Sequence, residues 1–249
     1  MNMMLEVEHW ESSFVLELDE RFWKNIGGKV PFKTNLVVWK EEVYFLTPIE
    51  IDVSTLRGQI RVEQGKLFYW PIERAFCIFY GISQPYSPVY QVGLYIGLLS
   101  KLRAIRDGAE ATVKVHRIHE SYSSITTILE SLGFKVATPL HNGGRVIEAT
   151  KYIGNVRVSF RLYVEDYGIH IEGEPVLPRD CCPENIRLIE MLDKIVRGGR
   201  YTRLDLSENG EIAVTGFVEK NEKQICNAIN EMSKIYHKIL KDLHLARYL

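Results

Sequence analysis

The residues with the most scope for chemistry are aromatic and ionisable side chains in the first third of the chain. Trp39 and the run Tyr69-Trp70-Pro71 could line an apolar ligand groove, and they could equally plug one end of a barrel as core residues. A charged pair, Glu73-Arg74, follows the second run and would alter the rim of a nearby cleft. The candidate ligand-groove residues are Trp39, Glu42, Tyr44, Tyr69, Trp70, Phe79 and Arg74.

Two adjacent carboxylates, Glu41 and Glu42, raise the question of general acid–base catalysis. Successive side chains of a strand point to opposite faces, so the two groups do not converge on one substrate unless the turn rotates one of them. We therefore interpret them as solvated carboxylates of a turn, of which one could face a cleft. No catalytic residue is predicted.

The cysteine and histidine residues give no pattern typical of a nucleophile or a metal site. Cys77 stands inside an apolar strand, where a thiol behaves as a small hydrophobic group. The pairs His116/His119 and His237/His244 are predicted to be surface histidines, because a zinc site needs four suitably spaced ligands. No glycine-rich stretch ends in the Gly-Lys-Ser/Thr of a phosphate loop, so neither a metal nor a cofactor is expected.

Composition limits the partners and the location. The chain has 249 residues, 46% of them hydrophobic and 25% charged, with a net charge of −1. That length suggests one large or two modest domains, and the balanced charge provides no overall field that would recruit nucleic acid or an anionic membrane. No basic segment followed by an apolar run occurs at the N-terminus, and no C-x-x-C pair occurs. We expect a cytoplasmic protein with reduced thiols.

Many short strand patterns separated by turn signals fill residues 1–117. Residues 75–80 are apolar on both faces, which indicates a strand buried on both sides. Residues 59–63 read as one further short strand, and residues 83–88 as a loop with two prolines. With few helical segments, this half predicts an all-β closed barrel.

The pattern changes near Arg117, and residues 121–249 are predicted to form an α+β domain in the order α-β-β-β-α-β-β-α. Cys182 followed by Pro183 indicates the start of a helix, and Asn209-Gly210 indicates a hairpin. The last helix carries an apolar stripe of Ile225, Ile229, Met232, Tyr236, Ile239 and Leu243.

Several specific motifs in the first half match those of a known family. They are Val30-Pro31-Phe32, residues 39–48, Tyr69-Trp70-Pro71, residues 75–81, Gly97 and residues 102–108. On these residues the first half resembles the small prokaryotic cyclophilin-like proteins of uncharacterised function. The resemblance implies a compact barrel of about eight strands. The sequence of this half departs from the family at Gly65-Lys66, where Gly-Asp is usual, and at Glu73-Arg74, where a glycine is usual.

The second half resembles the fold shared by YbjN-like proteins and type III secretion chaperones. The order of elements and residues 195–218 carry that resemblance. It implies a chaperone-like, protein-binding module that is often dimeric.

True cyclophilins isomerise X-Pro bonds with an arginine on a Phe-His-Arg-x-Ile strand, followed by Phe-x-Gln-Gly-Gly, and this chain has neither motif. Arg57, Arg61 and Arg74 lie in or near loops, with no motif that would place them at a cleft. We therefore expect a non-catalytic protein that binds a peptide, a protein or a small ligand, with a possible homodimer through the second domain. The alternative is a divergent prolyl isomerase or an undetected hydrolase.

Overall fold

The computed structural model describes residues 3–26 and 28–242. Contacts divide these residues into two compact units. The first comprises residues 3–118 together with Ala137–Arg145, and the second comprises His119–Val136 and residues 146–242. The segment Ala137–Arg145 thus belongs to the first unit although the flanking chain belongs to the second.

The first unit is a closed antiparallel barrel of eight strands, which confirms the predicted fold class of this half. The strands are β1 (Met3–His9), β2 (Ser12–Leu18), β3 (Phe32–Trp39), β4 (Glu42–Leu46), β5 (Lys66–Trp70), β6 (Ala75–Phe79), β7 (Tyr90–Ile96) and β8 (Ala109–Val115). Their order around the barrel is β1-β2-β7-β5-β6-β4-β3-β8. Two short helices, α1 (Glu20–Ile26) and α2 (Leu99–Leu102), join them. Residues 59–63 are not a strand, since a single bridge between Gln59 and Val89 forms there.

The alternation of side chains along β4, β5 and β6 separates two apolar layers. Side chains such as Phe45, Tyr69 and Phe76 point inward and join the main barrel core. The residues that alternate with these along the strands point outward. Among them, Phe68, Cys77 and Phe79 belong to a smaller apolar cluster. All five residues of β6 are buried, as the apolar run on both faces predicts. The outer cluster is the floor on which the candidate site is built.

Beyond the barrel the chain forms three α-helices and eight strands in the described residues. They are α3 (Ser123–Ser131), β9 (Lys135–Ala137), β10 (Leu140–His141), β11 (Gly144–Arg145), β12 (Ile147–Ile153), β13 (Val156–Glu165), β14 (Gly168–Gly173), α4 (Pro183–Val196), β15 (Thr202–Leu206), β16 (Ile212–Val218) and α5 (Glu222–Asp242). A six-stranded sheet has the order β15-β16-β14-β13-β12-β9. The predicted α+β class of this half is confirmed.

Sequence features of the second unit have clear structural roles. The Cys182 Sγ atom accepts a hydrogen bond from the Asn185 N–H and begins α4, with Pro183 in its first turn. The predicted stripe of α5 is buried as far as Ile239, while Leu243 and His244 lie outside the described residues.

All four cysteines are free thiols. No helix of the described chain is both long and apolar enough to cross a membrane.

A buried ionic cluster attaches the β10–β11 hairpin to the barrel. Glu6 accepts hydrogen bonds from Ser13 Oγ at 2.7 Å and Arg145 Nη1 at 2.8 Å, and His116 Nδ1 lies 3.2 Å away. The Thr138 N–H donates to His116 Nε2 at 3.1 Å, so the ring proton is on Nδ1 and points to Glu6. Burial raises the pKa of Glu6, but hydrogen bonds from His116 and Ser13 and the charge of Arg145 lower it to about 2.

The same cluster corrects one prediction. His116 is only 6% exposed and is therefore not a surface histidine, because residues 137–145 cover the end of β8. Its partner in the predicted pair, His119, is exposed, and His237 on α5 is half-buried. No group of three or more potential metal ligands occurs in the described residues.

Candidate ligand-binding cavity

A cavity of about 210 Å³ lies on the outer side of the barrel, above β4, β5 and β6. It is lined by Trp39, Glu42, Tyr44, Trp70, Cys77, Pro85, Tyr86, Ser87 and Val89, and we call it the aromatic cavity. Strand register explains the lining, because Trp39 pairs with Glu42 across β3 and β4, and Tyr44 pairs with Cys77 across β4 and β6. Residues at these positions point outward, away from the barrel core.

Four rings enclose the cavity and form what we call the aromatic box: Trp39, Tyr44, Trp70 and Tyr86. The centroids of Trp39 and Tyr86 are 5.9 Å apart with the rings at 75°, and those of Trp70 and Tyr86 are 5.7 Å apart at 79°. Tyr44 and Trp70 are 6.3 Å apart at 88°. Edge-to-face pairs at these distances attract each other through their quadrupoles. The rings therefore stand nearly perpendicular to one another, as adjacent walls of a box do.

Residues 81–89, the cover loop, carry Tyr86 and are held by hydrogen bonds near both ends. Glu41 Oε2 accepts from the Ile82 N–H at 2.7 Å, and Gln64 Nε2 donates to the Gly81 carbonyl at 2.7 Å. Further along the loop, Trp70 Nε1 donates to Ser87 Oγ at 2.9 Å. The loop is thus held by the β3–β4 turn, by the segment just before β5 and by the end of β5, although Tyr86 itself is 74% exposed.

Glu42 carries the only carboxyl group among the described lining residues, and this group is buried. It is 7% exposed. Burial raises the pKa of Glu42 to about 6, a rise that a hydrogen bond from Cys77 partly opposes. Burial and the nearby Glu42 raise the pKa of the Cys77 thiol well above its usual value. Cys77 is therefore a protonated thiol that donates to Glu42, which agrees with its interpretation as an inert residue.

The described lining contains no lysine, arginine or histidine to neutralise Glu42. Lys40 contacts one of the four rings, with its Nζ atom 4.3 Å from the centroid of Trp39. Lys40 is exposed and does not line the cavity. Burial and the charge of Glu42 also raise the pKa of the Tyr44 phenol. The interior of the aromatic cavity is thus negative and aromatic.

The structure brings together four of the seven candidates from the sequence: Trp39, Glu42, Tyr44 and Trp70 all line the cavity. Phe79 lies in the outer apolar cluster beneath it, in a position of support. Tyr69 does not reach it, because adjacent residues of β5 face opposite sides and its hydroxyl donates to the Ile49 carbonyl at 3.1 Å.

Arg74 is also excluded from the cavity. It occupies a turn with φ of 51°, its side chain is 58% exposed, and its guanidinium lies 3.8 Å from Glu50. Arg57 and Arg61 are exposed and do not line the cavity either. No described arginine therefore points into the aromatic cavity, as imide isomerisation by the cyclophilin mechanism would require.

Sequence reasoning did not identify Tyr86 as a wall of the site. The sequence predicts only a proline-containing loop for its segment, Pro85-Tyr86-Ser87-Pro88. An exposed tyrosine between two prolines is a signal of a stiff, presented aromatic side chain. The partner rings, however, are set by the tertiary structure.

A second, more open groove of about 850 Å³ lies on the outer face of β1, β8, β3 and β4. Its lining mixes charged and polar residues, among them Glu8, Lys33 and Glu110, with the exposed Trp10. Arg106 lies 5.7 Å from the centroid of that ring. The groove has no convergent set of functional groups comparable to the aromatic cavity.

Comparison with known proteins found two similar solved structures and one matching family model. The structure resembles that of the hypothetical protein AF2241 from Archaeoglobus fulgidus, with 22% identity, a TM-score of 0.37, and coverage of 45% of this chain and 94% of that one. It also resembles McbB in complex with tryptophan, with 14% identity, a TM-score of 0.37, and coverage of 51% of this chain. The matched part spans 53% of the McbB chain. No curated protein matches this chain. Residues 1–114, which include nearly all of the closed barrel, match the model of the family described as Cyclophilin-like.

Proposed function

We propose that this protein is a non-catalytic binding protein whose N-terminal barrel holds its ligand in the aromatic cavity. One observation carries the proposal: four rings and a buried carboxyl group line the same cavity, and the loop that carries one of the rings is hydrogen-bonded to another of them. Ligand sites are typically concave, mostly apolar, and supplied with a few placed polar groups. The aromatic cavity has this composition.

The chemistry of the lining favours binding over catalysis. A nucleophilic cysteine needs a lowered pKa, whereas Cys77 has a raised one. An acid–base pair needs two convergent groups, but the Glu41 carboxylate is occupied by the Ile82 N–H while Glu42 faces the cavity. An isomerase of the cyclophilin type needs a guanidinium at the site, and none lines the described cavity. These features support recognition without a chemical step.

The size of the cavity restricts the ligand. Pockets for drug-sized molecules occupy about 300–1,000 Å³, and the aromatic cavity is smaller, at about 210 Å³. It suits a small molecule or one side chain of a peptide or protein. The second domain is then a chaperone-like partner module, with a homodimer through this domain, in a cytoplasmic protein. Sedimentation of the whole chain tests the dimer.

The test of the binding proposal uses the four tryptophans, all of which lie between residues 10 and 70. In the ¹⁵N-labelled chain, each indole N–H gives one NMR signal. We titrate small apolar molecules that are cationic, neutral and anionic. Ligand in the aromatic cavity shifts the signals of Trp39 and Trp70 and leaves that of Trp23 in place. If no compound of any charge shifts the Trp39 and Trp70 signals, the binding proposal is wrong.

A further inference from the structure

We propose that the ligand of the aromatic cavity is a small organic cation, specifically an alkylated ammonium group, held between the aromatic box and Glu42. This inference rests on the proposed function and adds the chemical class of the ligand. The group could belong to a free quaternary amine or to a methylated lysine side chain on a peptide. Both present the same chemistry to the cavity.

The aromatic box is the first argument for a cation. The π faces of tryptophan and tyrosine carry negative potential and attract a positive charge placed within about 6 Å of the ring centroid. Two of the four rings, Trp39 and Trp70, are indoles, which bind cations best. A single ring attracts a cation weakly, whereas several rings around one volume act together and also remove water from it. Multiple walls of this kind recognise quaternary ammonium groups.

The isolated carboxyl group is the second argument. A buried carboxylate is normally paired with a cation, because its removal from water is otherwise costly. Glu42 receives only a weak thiol donor from Cys77, and no basic residue lines the described cavity. A glutamine would fill the same space without that cost. A cationic ligand supplies the missing partner and accounts for a glutamate at this position.

The donor set argues against a hard metal ion. Ca²⁺ or Mg²⁺ needs about six oxygen ligands, and Glu42 is the single carboxylate among the described residues that line the cavity. A volume of about 210 Å³ admits a compact, branched group such as trimethylammonium and excludes a drug-sized one. An alkylated ammonium is apolar enough to leave water for an aromatic box and charged enough to require Glu42.

Binding of a cation depends on the charge of Glu42 and hence on pH. The titratable groups that line the cavity with Glu42 are Tyr44 on its own strand, Cys77 on β6 and Tyr86 on the cover loop. The charge of Glu73 acts on Tyr44, and Lys40 lies on the ring of Trp39. With its pKa raised to about 6 by burial, Glu42 is largely protonated at pH 5 and ionised at pH 8. Affinity for the cation therefore rises about tenfold between these two values, since the ionised fraction rises by that factor.

The experiment compares probes of one shape and different charge on the ¹⁵N-labelled full chain at constant ionic strength. Choline is the cation, 3,3-dimethylbutan-1-ol its neutral isostere, and trimethylacetate an anion of similar shape. We expect choline to shift the Trp39 and Trp70 indole signals and to bind at least about tenfold more tightly than the alcohol. A peptide with trimethyllysine, beside its unmethylated form, separates the peptide source from the free amine.

Variants locate the effect. Glu42→Gln is expected to reduce choline affinity about tenfold or more and to remove its dependence on pH, while Glu11→Gln, an exposed carboxylate in the β1–β2 turn, leaves both unchanged. The comparison of isosteres uses the unmodified chain and holds even if Glu42→Gln folds poorly. If the alcohol or the anion binds as tightly as choline, the cation inference is wrong while the binding proposal stands. If none of the probes shifts these indoles, both are wrong.

Discussion

Replacing Glu42 by glutamine changes the free energy of unfolding in a way that depends on pH, and its size follows from the structure. Burial raises the pKa of Glu42 from 4.5 to about 6. One unit of pKa difference between the folded and unfolded states corresponds to about 1.4 kcal/mol, so the full effect is about 2 kcal/mol. Because the folded pKa is the higher one, this stability is present below pH 4.5 and is lost as the pH rises through 6.

Glutamine cannot ionise, so the variant escapes this loss. The free energy of unfolding of Glu42→Gln minus that of the parent chain is expected to increase by about 2 kcal/mol between pH 4.5 and pH 7.5. Urea unfolding followed by tryptophan fluorescence measures it for the barrel, because all four tryptophans lie between residues 10 and 70. Other titrating groups, including Glu6, are common to both chains and cancel in the difference.

The control is Glu11→Gln, which removes one exposed carboxylate and is expected to give a difference that varies little with pH. The reasoning is refuted if the Glu42→Gln difference is the same at pH 4.5 and pH 7.5. It is also refuted if the difference falls with rising pH, because that result would mean that Glu42 already has a cationic partner in the free protein.

Three further predictions concern the barrel. Glu6→Gln is expected to lower the free energy of unfolding at pH 7 by about 3 kcal/mol, because the ionised Glu6, with its low pKa, stabilises the fold. This loss shrinks as the pH falls from 4.5 towards 2, where Glu6 becomes protonated in the folded chain as well. A loss that does not vary with pH in urea unfolding contradicts the prediction. Gly93→Ala places a Cβ atom 2.0 Å from the Glu17 carbonyl oxygen and is expected to destabilise the barrel by about 1–3 kcal/mol or more. The control, Gly28→Ala, has open space around the new Cβ atom and is expected to be nearly neutral. Equal urea midpoints for the two variants would refute the packing argument. The chain is expected to leave the exchange rate of an X-Pro peptide at its uncatalysed value in NMR exchange spectroscopy, and any acceleration that Trp70→Ala removes would overturn the non-catalytic proposal.

Much of the site follows from short-range sequence patterns. The apolar run of residues 75–80 predicts a strand buried on both faces, and that strand is the floor of the cavity. The alternation along β4 also places Glu42 and Tyr44 on one face and Phe45 on the other. The same rule separates Tyr69 from Trp70, so grouping both as groove residues was inconsistent with the period of a strand.

Other features depend on contacts between distant residues. Tyr86 becomes a wall of the box only because the cover loop folds onto the ends of β3 and β5, through contacts such as Trp70 to Ser87. The pairing of Glu6 with Arg145 joins residues 139 positions apart in the chain. Local periodicity in the sequence does not predict such contacts, and the two-residue strands of the hairpin that carries Arg145 are too short to show a strand pattern.

The most direct test of the central claim is the position of a bound cation. Tetramethylammonium has a single methyl resonance, and a bound ion gives nuclear Overhauser contacts to protons within about 5 Å. The account predicts contacts from that resonance to the ring protons of Trp39, Trp70 and Tyr86, and these contacts require about tenfold more tetramethylammonium at pH 5 and in Glu42→Gln. Contacts confined to rings elsewhere, such as the exposed Trp10, or no contacts at a saturating concentration, would contradict it.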